Sequence, residues 1–396
     1  MKKIPCNLTA KISPKNLIIV VGLLILICLL IFKLSTLVPG WSTAELSTRY
    51  NSLSLHYILY HPINAPFSVL SYSFLKLLPH SVLAIRLVSV LLGTITILLF
   101  FYVTYRWYGL FVAWLSSAML ASSTWFLRSA RQGTPDILLF GLLVFVALNL
   151  WLRSGHHHRF VVVLMGLMAC LSLYVPGLIW FLVIAGLWNH HLIKTVISRL
   201  HFKPTLIMSL GAVVILLPLV WALVNNYKLV WAVLGFQSNV PALLPTIKHL
   251  ANVPLNLFVR GAYQPGFWVG RSPVLDVFET ALVIFGVYSY WRQHNLKRLI
   301  PLLVVFTVTT ILVALGSQAT LSLVLPFIYF AIASGLTYLR NEWLDTFPRN
   351  PIARSFGMAV IVLAVFVSCF YQLNRYFVAW PHMAQTKNTF SQQPLS

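Results

Sequence analysis

Two carboxylates are the residues of this chain best placed to do chemistry. The 396-residue sequence has six acidic residues against 28 lysines and arginines. Glu342 and Asp345 stand beside Arg340 and Arg349 and read as a solvated charge cluster. Asp276 and Glu279 open an apolar run, where acids favour a helix N-terminus. Glu45 and Asp136 remain. Each also starts a helical stretch, so capping is the plain reading of either alone. On one side of the molecule they would form a two-carboxylate site. A carboxylate can accept the proton of an attacking hydroxyl or hold a divalent metal, so a divalent metal is a candidate cofactor at Glu45 and Asp136. Arg128 and Arg131 precede Asp136, and Arg260 and Arg271 follow in a later loop. Guanidiniums of this kind suit a phosphate, although each alone reads as an interfacial anchor.

These residues are held by a chain that is mostly apolar. Hydrophobic residues make up 59% and charged residues 9% of the sequence, with a mean hydropathy of +0.85. Soluble domains carry about 25% charged residues, so this composition excludes that class. Repeated apolar runs predict an all-α polytopic membrane protein of about 11 transmembrane helices. The spans fill residues 1–376, with two long loops at 39–81 and 225–273 and a short polar tail at 377–396. No soluble C-terminal domain is expected. The basic N-terminus and the run after it read as an uncleaved first span.

The net charge of +22 would suggest nucleic acid in a soluble protein, but no compact basic domain is present here. Lys and Arg instead mark the connectors that face anionic lipid. With the N-terminus cytoplasmic, more than half of the 28 fall in short cytoplasmic connectors. Both long loops, Glu45 and Asp136 then face outward. Cys6, Cys28, Cys170 and Cys369 are scattered, with neither metal-ligand spacing nor a disulfide framework.

The first loop carries its own element. Leu46, Tyr50, Leu53, Tyr57 and Tyr60 recur at steps of four and three, which is one face of a helix. Glu45, Arg49, Asn51, Ser52 and His56 take the other face. Such a helix lies along the membrane interface. Further on, Leu110–Leu127 reads as one span, then RSARQGTPD leads into the next. Trp268, within QPGFW, could stack on a sugar, although an interfacial belt is the plainer role.

The order of these features resembles a known family. HPINAPFSVLSYSFLKLLPHSVLAIRLVSVLLG, with His61, Pro62, Pro66, Arg86, Ser89 and Gly93, is similar to a stretch of the GT-C-type membrane glycosyltransferases. The pattern is nearest to bacterial relatives of the protein O-mannosyltransferases and of the lipid A aminoarabinose transferase. RSARQGTPDILLFGLLVFVALNLWL, with Arg131 and Asp136, resembles the family's entry to its fourth span. SLYVPGLIW, with Tyr174, RSPVLDVFETALVIFGVY and FPRNPIAR resemble later segments.

The resemblance implies transfer of a sugar from a polyprenyl-phosphate carrier to a lipid, glycan or protein acceptor on the outer face of the cytoplasmic membrane. It places the catalytic carboxylate at Glu45, with Asp136 orienting the acceptor or helping to hold a metal. With that reaction, Arg128, Arg131, Arg260 and Arg271 are expected to hold the donor phosphate, and His61, Tyr174 and Trp268 are expected to line the substrate cavity. Many relatives carry an Asp-Glu pair in the first loop, where this chain has Ala44 and Glu45. The rival reading of the composition is a polytopic transporter or lipid flippase, a class that usually shows repeated halves and ionisable groups near mid-membrane.

Overall fold

The computed structural model describes residues 14–79, 81–154, 158–188, 190, 202–236, 243–261, 271–293, 296–316 and 320–391. Among them every regular element is helical. In chain order the main ones are α1 (Pro14–Ile31), α2 (Thr43–Asn51), α3 (Leu55–Tyr60), α4 (Ala65–Leu77), α5 (Val82–Tyr108), α6 (Leu110–Ser122) and α7 (Thr124–Arg131). A 3-10 helix at Pro135–Gly141 leads into α8 (Leu142–Arg153), followed by α9 (His158–Ser172), α10 (Leu178–Trp188) and α11 (Phe202–Asn225). After the second long loop come α12 (Val277–Arg292), α13 (Leu296–Ala314), α14 (Leu325–Thr346) and α15 (Pro351–Asn374).

Five helical stretches among the described residues are long and apolar enough to cross a membrane: Val82–Tyr108, Pro135–Arg153, Pro204–Asn225, Lys297–Ala314 and Pro351–His382. The stretch expected as a single span from Leu110 to Leu127 is instead two helices, α6 and α7, bent by 66°. The break falls at Ser122-Ser123-Thr124. There the Ser122 hydroxyl donates to the Met119 carbonyl, and Thr124 Oγ1 donates to Gln372 Oε1 of α15 at 2.8 Å. Short polar side chains that bond nearby groups compete with the helix ladder in this way.

The first loop also departs from expectation. Ser54 caps a second helix, so α2 and α3 are separate elements. On α2 the polar face is the buried one: Glu45, Thr48 and Arg49 point inward, followed by Ser52, while Tyr50 and Leu53 are exposed. The periodicity gave the face of the helix without saying which side turns inward. In a lipid setting the apolar face has somewhere favourable to go, and the polar face is free to turn toward the protein.

Side chains from α1, α2, α4 through α8, α10 and α12 through α15 share one large apolar core. A small second cluster joins Tyr174, Leu219 and Val233. In the large core the tightest helix pair is α12 with α14. A methyl group on Gly286 would lie 1.9 Å from the Ala331 carbonyl oxygen, and one on Gly335 would lie 2.1 Å from that of Leu282. The two backbones touch because both positions lack a side chain, the small-residue contact that membrane helices favour. Gly335→Ala is expected to lower stability by about 1–3 kcal/mol by overpacking. A thermal melt in detergent checks this; an unchanged midpoint would show that the helices can slide apart freely.

Helical structure runs on through 375–382 and 384–389, into the tail at 377–396 that reads in sequence as polar, and Trp380, Thr386 and Phe390 of that tail are buried. Tyr376 and Trp380, one turn apart, stack at 5.2 Å, and Trp380 meets Phe390 edge-on at 5.6 Å. Phe390 returns the chain to the first loop, with its ring 6.0 Å from the Arg86 guanidinium.

Candidate active site

Glu45 sits at the third position of α2 and closes a capping box with Ser42. The box alone would leave the carboxylate near solvent. Here it is wholly buried, at 0% exposure, and faces Arg86 of α5. Arg86 Nε donates to Glu45 Oε1 at 2.8 Å and Nη2 donates to Oε2 at 3.1 Å. The Ser42 N–H and the Gly133 N–H supply the third and fourth hydrogen bonds to the carboxylate. The rest of the guanidinium is equally occupied. Arg86 Nη1 donates to the Leu34 and Val38 carbonyls, and Nη2 also donates to that of Gly40. One ion pair therefore ties together the end of α1, the start of α2, α5 and the turn after α7.

Arg86, Ser89 and Gly93 are spaced by three and four residues, so they share one face of α5. That face reads the turn beyond α7. The Ser89 hydroxyl donates to the Gln132 carbonyl. A methyl group on Gly93 would come within 2.6 Å of Ala130 Cβ, so this glycine lets α7 lie directly on α5.

Asp136 is placed by the same turn, just inside the 3-10 helix that begins at Pro135. Its side chain keeps 25% of its surface exposed and stands 3.9 Å from Arg128 Nη2. Arg128 lies within electrostatic reach of both Asp136 and Glu45. Arg131 is deeper. Its guanidinium donates to the Phe32 carbonyl and lies over the rings of Phe377 at 4.7 Å and Tyr376 at 5.3 Å. Three guanidiniums, Arg86, Arg128 and Arg131, thus surround two carboxylates, and Tyr376 is within electrostatic range of all three. The group carries net positive charge in a sparsely hydrated place, which favours an anionic guest.

No family model matches the sequence, and no curated protein matches it. Among solved structures, the crystal structure of ArnT from Cupriavidus metallidurans bound to undecaprenyl phosphate superimposes with a TM-score of 0.53 at 15% identity, over 94% of this chain and 76% of that one. The fold is of the GT-C type. Identity this low carries the architecture, and the chemistry of this GT-C-like chain has to be argued from its own residues.

The GT-C-like frame brings together four of the residues singled out in sequence: Glu45, Arg128, Arg131 and Asp136. Arg260 and Arg271 are exposed, and they flank a neck at which the Gly261 N–H donates to the Arg271 carbonyl. His61 is exposed and stacks on Tyr57 at 4.2 Å. Tyr174 is buried in the small second cluster, with its hydroxyl donating to the Ile215 carbonyl. Trp268 lies outside the described residues.

The fit to a divalent metal is poor at this pair of acids. Each Glu45 oxygen already accepts two N–H bonds, and Asp136 faces a guanidinium. Among the described residues no three His, Cys, Asp or Glu side chains gather as a metal set. The sequence reading assigned no site role to Arg86 beyond its motif, although its spacing to Ser89 and Gly93 was the available signal. Tyr376 and Phe377 gave no signal at all, because their partner lies some 245 residues earlier in the chain.

Proposed function

We propose that this chain transfers a sugar from a polyprenyl-phosphate carrier to a hydroxyl acceptor, at a site on the outer face of the cytoplasmic membrane. The observation that carries the reading is a partly exposed carboxylate, Asp136, set against buried guanidiniums with net positive charge. ArnT, which shares the fold, was crystallised with undecaprenyl phosphate.

In this reading Asp136 accepts the proton of the acceptor hydroxyl as its oxygen bonds to the anomeric carbon. The bond from that carbon to the carrier phosphate breaks, and the phosphate leaves with the electron pair. Arg128 and Arg131 stabilise the charge that develops on it. A single displacement of this kind inverts the anomeric centre. Glu45 serves as a positioning residue: its oxygens are engaged, and through Gly133 it fixes the turn that presents Asp136. Exposed Arg260 and Arg271 suit attraction of the anionic carrier from the membrane surface. The acceptor is a lipid, glycan or protein hydroxyl.

The test is transfer of radiolabelled sugar from polyprenyl-phosphate sugars in membranes that express the chain, with lipid extraction to separate carrier from product. Label should leave the carrier. If no donor is turned over and the purified protein binds no polyprenyl phosphate, the reading is wrong.

A further inference from the structure

The turn from Arg131 to Thr134 has a pinned backbone and side-chain donor atoms without hydrogen-bond partners, although Arg131 Nη2 is held by the Phe32 carbonyl. The Gln132 N–H donates to the Arg128 carbonyl at 3.0 Å, the Gly133 N–H to Glu45, and the Thr134 N–H to the Gln132 carbonyl at 2.8 Å. Each backbone N–H of residues 132–134 is therefore used. The side chains show the opposite. Arg131 Nε and Nη1, Gln132 Nε2 and Thr134 Oγ1 are all buried without a hydrogen-bond partner. The three residues are 3%, 5% and 4% exposed.

Buried polar atoms are almost always partnered, so four orphans within four residues mark a place where a partner belongs. The chemistry of the four agrees: three N–H groups and one hydroxyl, all able to donate. Their natural partner is a group rich in acceptors and negatively charged. Arg131 supplies charge, while Gln132 and Thr134 supply neutral, directed donors on a backbone that cannot drift. A carboxylate ligand would use two acceptor oxygens; a phosphate offers enough for all the donors.

We propose that Gln132 and Thr134, with Arg131, form the phosphate cradle of the carrier site, so that the turn between α7 and the 3-10 helix recognises the phosphate of a polyprenyl monophosphate lipid. The proposal rests on the reading given above and adds two neutral residues to the binding set. It makes a demand that a purely structural role would not make. Replacing an unsatisfied buried hydroxyl by a methyl group of the same shape removes a desolvation cost. Thr134→Val should therefore melt no lower than wild type when free of ligand, and yet bind the lipid more weakly.

Undecaprenyl phosphate binding to the full chain in nanodiscs decides the matter, alongside undecaprenol and inorganic phosphate. Wild type should bind undecaprenyl phosphate and discriminate against undecaprenol. Thr134→Val and Gln132→Met should each weaken lipid-phosphate binding about tenfold or more, and Thr134→Ser should restore it. Equal binding by wild type and both variants would overturn the cradle and leave the glycosyl-transfer reading standing. No binding by wild type would overturn that reading itself. Variant-sensitive binding of inorganic phosphate with unchanged lipid binding would assign the turn to free phosphate and overturn the lipid assignment.

Discussion

Arg86→Leu should cost this protein about 3–5 kcal/mol of stability, the range for removing one partner of a buried ion pair. The substitution leaves Glu45 at 0% exposure with only the Ser42 and Gly133 N–H groups for its charge. It also removes the donors that the Leu34, Val38 and Gly40 carbonyls now use. Thermal unfolding of the detergent-solubilised protein, followed by tryptophan fluorescence, gives the size of the loss. Arg86→Lys separates charge from geometry. A lysine keeps the positive charge and offers three donors from one point, whereas Arg86 directs five N–H groups to four residues. It should fall between leucine and wild type. Replacing Glu45 and Arg86 together by apolar residues should recover part of the loss, because no unpaired charge then stays buried. A wild-type melting temperature for Arg86→Leu would show that the pair is not what joins the first loop to α5.

That pair also explains how much of the molecule could be read before its structure. Apolar runs predict spans because lipid demands them, and the all-α fold followed directly. Arg86, Ser89 and Gly93 carry a spacing that marks a helix face, and the face proved to hold the turn beyond α7. Glu45 was visible as a rare acid, but its burial was not, since burial depends on an arginine 41 residues away. The amphipathic pattern of 46–60 gave the period and not the direction, because in a membrane the apolar side can face lipid as readily as core. The bend at Ser123 was hidden for a different reason. A run of serine and threonine fits a lipid-buried helix well, and only the contact of Thr124 with Gln372 shows that the ladder is interrupted there. The tail at 377–396 is mostly polar in composition, and its buried Trp380 and Phe390, which pack against Tyr376 and each other, carry no periodicity that marks them in sequence.

Asp136→Asn is expected to remove transfer while leaving the fold intact, and the contrast with Glu45 is what makes the result informative. Asparagine keeps the shape of the side chain and loses its basicity. General-base contributions run to about 10²–10⁴ in rate, so kcat should fall by that factor. Asp136 has 25% of its side chain exposed and a single long ion pair at 3.9 Å, so its charge contributes little to stability and the melting temperature should stay close to wild type. Glu45→Gln should behave in the reverse way. It strands the Arg86 guanidinium, so stability falls first and activity falls with the fraction of folded protein. Measuring kcat, KM and the melting temperature on both variants therefore assigns the base. Full activity in a well-folded Asp136→Asn would exclude it. A well-folded, inactive Glu45→Gln would return that role to Glu45 and require the Arg86 pair to open during turnover. The charge count adds a further sign. Losing the carboxylate beside Arg128 makes the cluster more positive, so Asp136→Asn should bind undecaprenyl phosphate at least as tightly as wild type while failing to discharge its sugar. Weaker lipid binding would instead make Asp136 part of how the carrier is held.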